Sequence, residues 1–259
     1  MDHILIKVTD NVGTITMCRD HKMNAFNDTF IDEMIAAFGA LQTDGVRAII
    51  LRALKGAKVW SAGRDIESLP TVPHDIEGWD TQLTALGSAV LNCSVPVIAL
   101  IEGNVWGLAC EIAFSCDLIV AIPEARFAIT PAKLGVPYPL SGLRTVIERL
   151  GPNLTKEMLF CATDFDAQRL HGYGIVNHVV SSDEIEMFVQ DMASNISTLA
   201  PLSIAALKQQ ISNITRACPS SPETIVQSDN RAFHLLSSSD FKEGISALKG
   251  RRRPKFLGE

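Results

Sequence analysis

The feature that most constrains this chain is a set of short, continuous apolar runs. RAIILRAL (47–54), PVIALI (96–101) and DLIVAI (117–122) are each bounded by polar turn residues. A strand with one wet face alternates apolar and polar side chains. A run that is apolar throughout is a strand covered on both faces. Covering layers are legible around these runs. ILIKVTD and VGTITMC, joined by the turn at 10–13, predict a hairpin. Asn27 or Asp28 then caps a helix on which Phe30, Met34, Phe38 and Leu41 recur at helical spacing. Trp79, Leu83, Leu86 and Val90 mark a second helix, residues 107–115 a short one, and RFAI (126–129) another strand. Helices are predicted at 141–150, 153–162 and 166–171, followed by the strand IVNHVV. After Asp183 the pattern is helical throughout: 183–199, 201–214, 222–236 and 239–249. The chain therefore reads as a mixed α/β body over residues 1–195 and an all-helical region over 196–259. The apolar faces of those last helices exceed what a small body can cover, which points to contacts between copies.

Composition excludes several classes. A net charge of −6 argues against a general nucleic-acid binder, and the one basic cluster, KGRRRPK (249–255), is local. Six cysteines show no C-x-x-C spacing and six histidines no ligand pattern, so no metal site is expected. Scattered, apolar-flanked cysteines suit a reduced, cytoplasmic setting. The start, MDHILIKVTD, is unlike a signal peptide, and no apolar run reaches the ~18 residues of a membrane span.

Two segments carry candidate chemistry. KVWSAGRDIESLP (58–70) has a small-residue turn, Ser61-Ala62-Gly63, after which the backbone N–H of Arg64 is free to meet a ligand. A plain turn capped by Asp65 explains the same residues. In IEGNVWGLACEIAFSCDLIVA (101–121), Gly103 and Gly107 flank a loop that enters a helix near Leu108. The first N–H groups of a helix lack internal partners and the dipole is positive there, so this is a site for developing negative charge. Glu111, on the first turn, either complements that dipole or takes part in chemistry. The amides of Arg64 and Leu108 would make an oxyanion hole if the fold brought them together; spacing alone does not do so.

SAGRDI, EGNVWGLACEIAFSCDLIVA and F-x6-LGVP together resemble the crotonase (enoyl-CoA hydratase/isomerase) superfamily over nearly the whole chain, including the ending RRRPKF. The resemblance implies a spiral of ββα units with a C-terminal helical trimerisation region, forming trimers or dimers of trimers. It implies an acyl-CoA substrate, with the thioester oxygen held by the amides of Arg64 and Leu108. Ala62, Gly63, Arg64, Asp65 and Ile66 would line the CoA channel, and Arg251 would reach the CoA phosphates.

Hydratases of this superfamily use two glutamates. One matches Glu111; the other falls on Pro131, which cannot move a proton. Decarboxylation of a malonyl-type thioester needs no such base, because the electrons flow into the thioester. A carboxylate about 4 Å from the departing one would oppose it by about 4 kcal/mol at an effective dielectric of about 20. The hydroxyls of Thr130 and Tyr138 instead suit a role in holding and aiming the substrate carboxylate. KVWSAGRDIESLP, EGNVWG and FAITPAKLGVPYPLSG resemble the biotin-independent methylmalonyl-CoA decarboxylases of the superfamily, whose active-site threonine and tyrosine match Thr130 and Tyr138. Those enzymes have histidine at Arg64 and glycine at Leu108. A hydratase or isomerase working through Glu111 alone is the alternative; a non-enzymatic binding protein on the same fold is a third reading.

Overall fold

The computed structural model of the chain describes residues 1–65, 81–131, 138, 140–215 and, beyond these, 239, 243, 246, 247, 250, 252, 254, 255 and 257. Ile66, Trp79, Arg251, the 222–236 helix and most of the 239–249 helix lie outside the described residues.

The continuous apolar runs become β3 (Ala48–Ala53), β5 (Val97–Ile101) and β7 (Leu118–Ala121). All of β3 and β5 is buried, as strands covered on both faces must be. They pair in parallel, with Ile49 opposite Val97 and Ile98 opposite Leu118. The predicted hairpin forms β1 (Ile4–Thr9) and β2 (Val12–Met17), and β2 joins β3 in parallel. Its two-residue turn places Asp10 and Asn11 at φ 50° and 62°, a left-handed conformation that these residue types tolerate. With β10 (His178–Val179) at the far edge, the order of this six-stranded sheet is β1-β2-β3-β5-β7-β10.

A second sheet is built from short strands that the sequence did not disclose. β4 (Val59–Ser61) and β6 (Asn104–Trp106) lie in segments read as turn and loop. Three residues are too few to show a period, and such strands exist only through their partners. β4, β6 and β8 (Arg126–Ala128) run parallel, and β9 (Phe165–Asp166) closes the edge antiparallel to β8. Each long strand is thus followed by a short one and then a helix: β3-β4-α2 (Thr81–Leu91), β5-β6-α3 (Leu108–Ser115), β7-β8-α4 (Leu140–Cys161). The ββα spiral is present.

Helix α1 (Asp28–Thr43) starts as predicted: the Asn27 side chain accepts a hydrogen bond from the Phe30 N–H, and Phe30, Met34, Phe38 and Leu41 are buried. The two helices predicted at 141–150 and 153–162 both form within α4, separated by a kink at the non-helical Gly151 (φ 70°, ψ 165°), immediately before Pro152. Helices α5 (Ala167–Gly172), α6 (Ile185–Ser197) and α7 (Pro201–Thr215) follow. None of the residues of α7 is buried, and Leu207, Ile211 and Ile214 stand exposed along it. Among the described residues, no helix is long and apolar enough to cross a membrane.

The carboxyl ends of β3 and β5 are tied to α6 by buried charge. Arg52 donates to Glu102 at 2.6 Å and to Glu186 at 2.7 Å, and Lys55 reaches Glu186 from solvent at 2.7 Å. Glu102 has little exposure, so removing its counter-ion leaves a desolvated carboxylate. Arg52→Ala is expected to cost about 3–5 kcal/mol in urea unfolding. Lys55→Ala, at the exposed rim of the same network, is expected to leave the unfolding midpoint almost unchanged.

Candidate active site

The small parallel sheet places the site. Its strands β4, β6 and β8 lie side by side, and the chain leaving their carboxyl ends carries Arg64, Leu108 and Thr130 respectively. The carboxyl edge of parallel strands is where ligands of α/β proteins characteristically bind. The register fixes the juxtaposition. Trp106 pairs with Ala128 and the Gly107 N–H donates to Ala128 O at 2.7 Å, so the stretch through Leu108 departs beside the stretch through Thr130.

Beyond β4 the backbone is pinned to the turn before α1. The Ala62 N–H donates to Met23 O at 2.9 Å, the Ser61 hydroxyl donates to Asn24 O at 2.7 Å, and Gly63 N–H donates to Ser61 Oγ at 3.2 Å. Phe26 N–H donates to Gly63 O and Asp65 N–H to Phe26 O, which makes a parallel bridge between Phe26 and Arg64. In such a bridge the middle residue uses neither of its own backbone groups. The Arg64 N–H therefore points away from Phe26 and meets no partner among the described residues.

Gly63 brings this segment against α3. It has φ +83°, and a Cβ there would lie 2.5 Å from Trp106 O and 2.9 Å from the Leu108 nitrogen. Only glycine permits the approach. Helix α3 begins at Gly107 (φ +57°), which offers no side-chain cap, and all eight helical residues are buried. The Leu108 N–H is one of the helix's orphan donors and has no partner among the described residues. The segments carrying the two candidate amides thus touch, which spacing could not show.

Glu111 sits on the first turn of α3 and is 4% exposed. Its carboxylate is flanked by two glycines. A Cβ on Gly87 of α2 would meet Oε1 at 3.8 Å, and one on Gly142 of α4 would overlap Oε2 outright. The hydroxyl of Tyr138 is buried and finds no hydrogen-bond partner among the described residues. Burial, then the charge of Glu111, then Cys110 push its pKa well above the usual phenol value, so the phenol remains protonated. Tyr138 and Glu111, far apart in sequence, are electrostatic neighbours. Thr130 is half-buried, and Pro131 directly after it leaves no carboxylate at that position.

Other expected site residues have different surroundings. The Asp65 carboxylate is buried and pairs with Arg19 at 3.0 Å, and the same Arg19 nitrogen donates to Ala25 O at 2.6 Å. The Arg64 guanidinium turns to Asp28 at the start of α1, with Nη2 2.6 Å from Oδ1. Sequence reading missed the anchoring turn of Arg19, Asn24 and Phe26. Its only local signal is the pair Met23 and Asn24 at φ 51° and 50°, a conformation for which asparagine is suited but methionine is not. Gly87 and Gly142 were also missed, because a glycine's reason for being there is a neighbour from another element.

Gly142→Ala is expected to destabilise the protein by about 1–3 kcal/mol, since the new methyl group occupies space held by the Glu111 carboxylate. The cost should fall sharply in a Glu111→Ala background. Urea unfolding of the two single variants and the double variant checks this, and additive costs would contradict the packing.

Comparison with known proteins identifies the family. The family model described as enoyl-CoA hydratase/isomerase matches residues 7–259. Methylmalonyl-CoA decarboxylase of Escherichia coli (strain K12) is 35% identical over 256 residues, covering 99% of this chain and 98% of the relative. Short-chain-enoyl-CoA hydratase of Clostridium acetobutylicum is 28% identical over 259 residues, covering 98% and 97%. A solved structure of methylmalonyl-CoA decarboxylase complexed with 2S-carboxypropyl CoA superposes with a TM-score of 0.80 at 35% identity, covering 99% of this chain and 98% of that one. With the ββα spiral, the glycine contact at the helix start and a match over almost its full length, the chain belongs to the enoyl-CoA hydratase/isomerase, or crotonase, family.

Proposed function

We propose that this protein is a biotin-independent decarboxylase of methylmalonyl-CoA or a close malonyl-CoA analogue, yielding propionyl-CoA and CO2. The observation that carries the reading is the buried Tyr138 hydroxyl, which has no hydrogen-bond partner among the described residues, together with Pro131 in place of a second carboxylate. A buried donor with nothing to bond is costly unless a ligand takes it. A carboxylate is the fitting acceptor, because a phenol kept protonated beside Glu111 donates and does not compete for charge.

In this reading the thioester oxygen lies between the N–H groups of Arg64 and Leu108. Tyr138 and Thr130 hold the C2 carboxylate so that its bond to C2 stands perpendicular to the thioester plane. That C–C bond breaks heterolytically: CO2 departs and the electron pair enters the thioester as an enolate. The two amides stabilise the developing oxyanion, and a proton delivered to C2 completes propionyl-CoA. No cofactor takes part; CoA is a portion of the substrate. Ala62 and Gly63 line the channel in this proposal, with Ile66 and Arg251 as further CoA contacts, whereas Asp65 acts through its pair with Arg19 by fixing the loop. The E. coli relative, named a methylmalonyl-CoA decarboxylase, supports the assignment.

A hydratase or isomerase using Glu111 alone is the second reading, favoured by its buried carboxylate and by the clostridial hydratase relative. We also propose a trimer or dimer of trimers, with the C-terminal helical region over 196–259 as the interface. The exposed stripe on α7 and the cleft of about 520 Å³ beside it, lined by Leu118, Ile204, Leu207 and Ile211, support contact with another copy.

Purified protein without added biotin, metal or ATP is expected to release CO2 from methylmalonyl-CoA and to be nearly inert toward crotonyl-CoA. Side-by-side assays decide, and fast hydration without CO2 release would promote the second reading. Tyr138→Phe should lower decarboxylation about tenfold or more, the worth of a hydrogen bond to a charged group. Pro131→Glu should lower it further through like-charge repulsion.

The pH profile gives a separate check. Because burial holds the Tyr138 pKa above its ordinary value, the hydrogen-bonding form persists as pH rises. Turnover measured across the alkaline range is expected to show no loss centred on the ordinary phenol value of about 10.

A further inference from the structure

The Arg64 guanidinium is incompletely used. Its side chain is only 9% exposed, and of its donors Nη2 pairs with Asp28 at 2.6 Å. Nε and Nη1 are buried and have no hydrogen-bond partner among the described residues. An arginine kept only to anchor the start of α1 would satisfy its buried donors or leave them in water. Two unmet buried donors on one cation are costly, and an anion is what meets them best.

We infer that Arg64 is the specificity determinant that selects acyl groups bearing a free carboxylate; the inference deepens the proposed decarboxylase reading and rests on its placement of the thioester. Residue 64 supplies an amide toward the thioester oxygen in that reading, so its side-chain head lies within one arginine length of the acyl carbons. Nε and Nη1 lie on different edges of the guanidinium plane, and Nη1, with two N–H groups and a share of the positive charge, donates to a carboxylate more strongly than to a neutral carbonyl and not at all to an alkyl chain. Asp28, 59% exposed, offsets part of the charge without occupying those donors. This moderates the hold on the ligand, which suits a substrate whose negative charge must leave the carboxylate during reaction. Tyr138 and Thr130 then aim the carboxylate for bond cleavage, while Arg64 decides which acyl groups are admitted. The CoA phosphates are the other anions in reach of such a cation, and the test separates them from the acyl carboxylate.

The probes are 2-carboxypropyl-CoA, a thioether that keeps the carboxylate but has no thioester carbonyl to receive electrons, and propyl-CoA, which carries the same phosphates and no carboxylate. Calorimetric titration of the wild-type protein is expected to show tighter binding of 2-carboxypropyl-CoA. Arg64→Gln should weaken that ligand about tenfold or more and change propyl-CoA by less than about threefold. Arg64→Lys, which keeps the charge but loses the planar donors, should fall between and guards against misfolding of the first variant. Equal weakening of both ligands would assign Arg64 to CoA or to the fold, and no weakening of either would leave its donors idle; each overturns the inference. CO2 release by the wild type is read separately. Charge selection through Arg64 without CO2 release would sink the decarboxylase reading and leave this inference standing.

Discussion

The close backbone approach of Gly63 to the residues that lead into α3 is the contact on which the rest depends. Two neighbouring turns of the ββα spiral meet there with no side chain between them. Any Cβ at residue 63 would push the Arg64 amide away from the Leu108 amide. The positive φ at Gly63 and at Gly107 gives the second reason for glycine, since both turns must bend in a sense that L-residues resist. Around this contact, hydrogen bonds between β4 with its loop and the Met23–Phe26 turn hold one side, and the Trp106–Ala128 register holds the other. The backbone carrying the two amides is thus held by hydrogen bonds on both flanks, and in the proposed reaction that preorganisation is what stabilising an oxyanion requires.

The groups around that contact divide charge in an orderly way. Glu111 is buried at the positive end of α3, where the helix dipole favours it. Its charge and the apolar surroundings keep Tyr138 protonated. Asp65, which is a CoA-channel residue by resemblance, is committed to Arg19 inside the protein. A group so paired can shape a channel without touching what passes through it. Arg64 retains donors to give, and in the proposed reaction its amide and its side chain address different parts of one substrate.

Much of the large sheet was legible because burial on both faces leaves a continuous apolar run, as in Ala48–Ala53 and Val97–Ile101. Asn27 was legible as a cap because its role is local, three residues from the N–H it receives. Gly151 and Pro152 marked the break in α4 for the same reason. β4 and β6 were not legible. Val59–Ser61 and Asn104–Trp106 owe their strand form to each other and to β8, and no local period reports a partner about 45 residues away. Gly142 was not legible either; its meaning lies in the carboxylate of Glu111 from another helix.

By itself the sequence determined which chemical groups are on hand and which are missing. It placed a proline at 131, hydroxyls at 130 and 138, a carboxylate at 111 and small residues at 61–63, and through its motifs it indicated the family. Those facts need no coordinates, because residue identity alone says that Pro131 carries no acid. Only the tertiary structure decided that the Arg64 and Leu108 segments meet, that Tyr138 shares a field with Glu111, that Asp65 turns to Arg19 and that Arg64 keeps two donors unspent. The physical reason is that each of these is a relation between groups on different strands and helices. Such relations are fixed by parallel pairing and close packing across the spiral, and neither leaves a trace in local residue order.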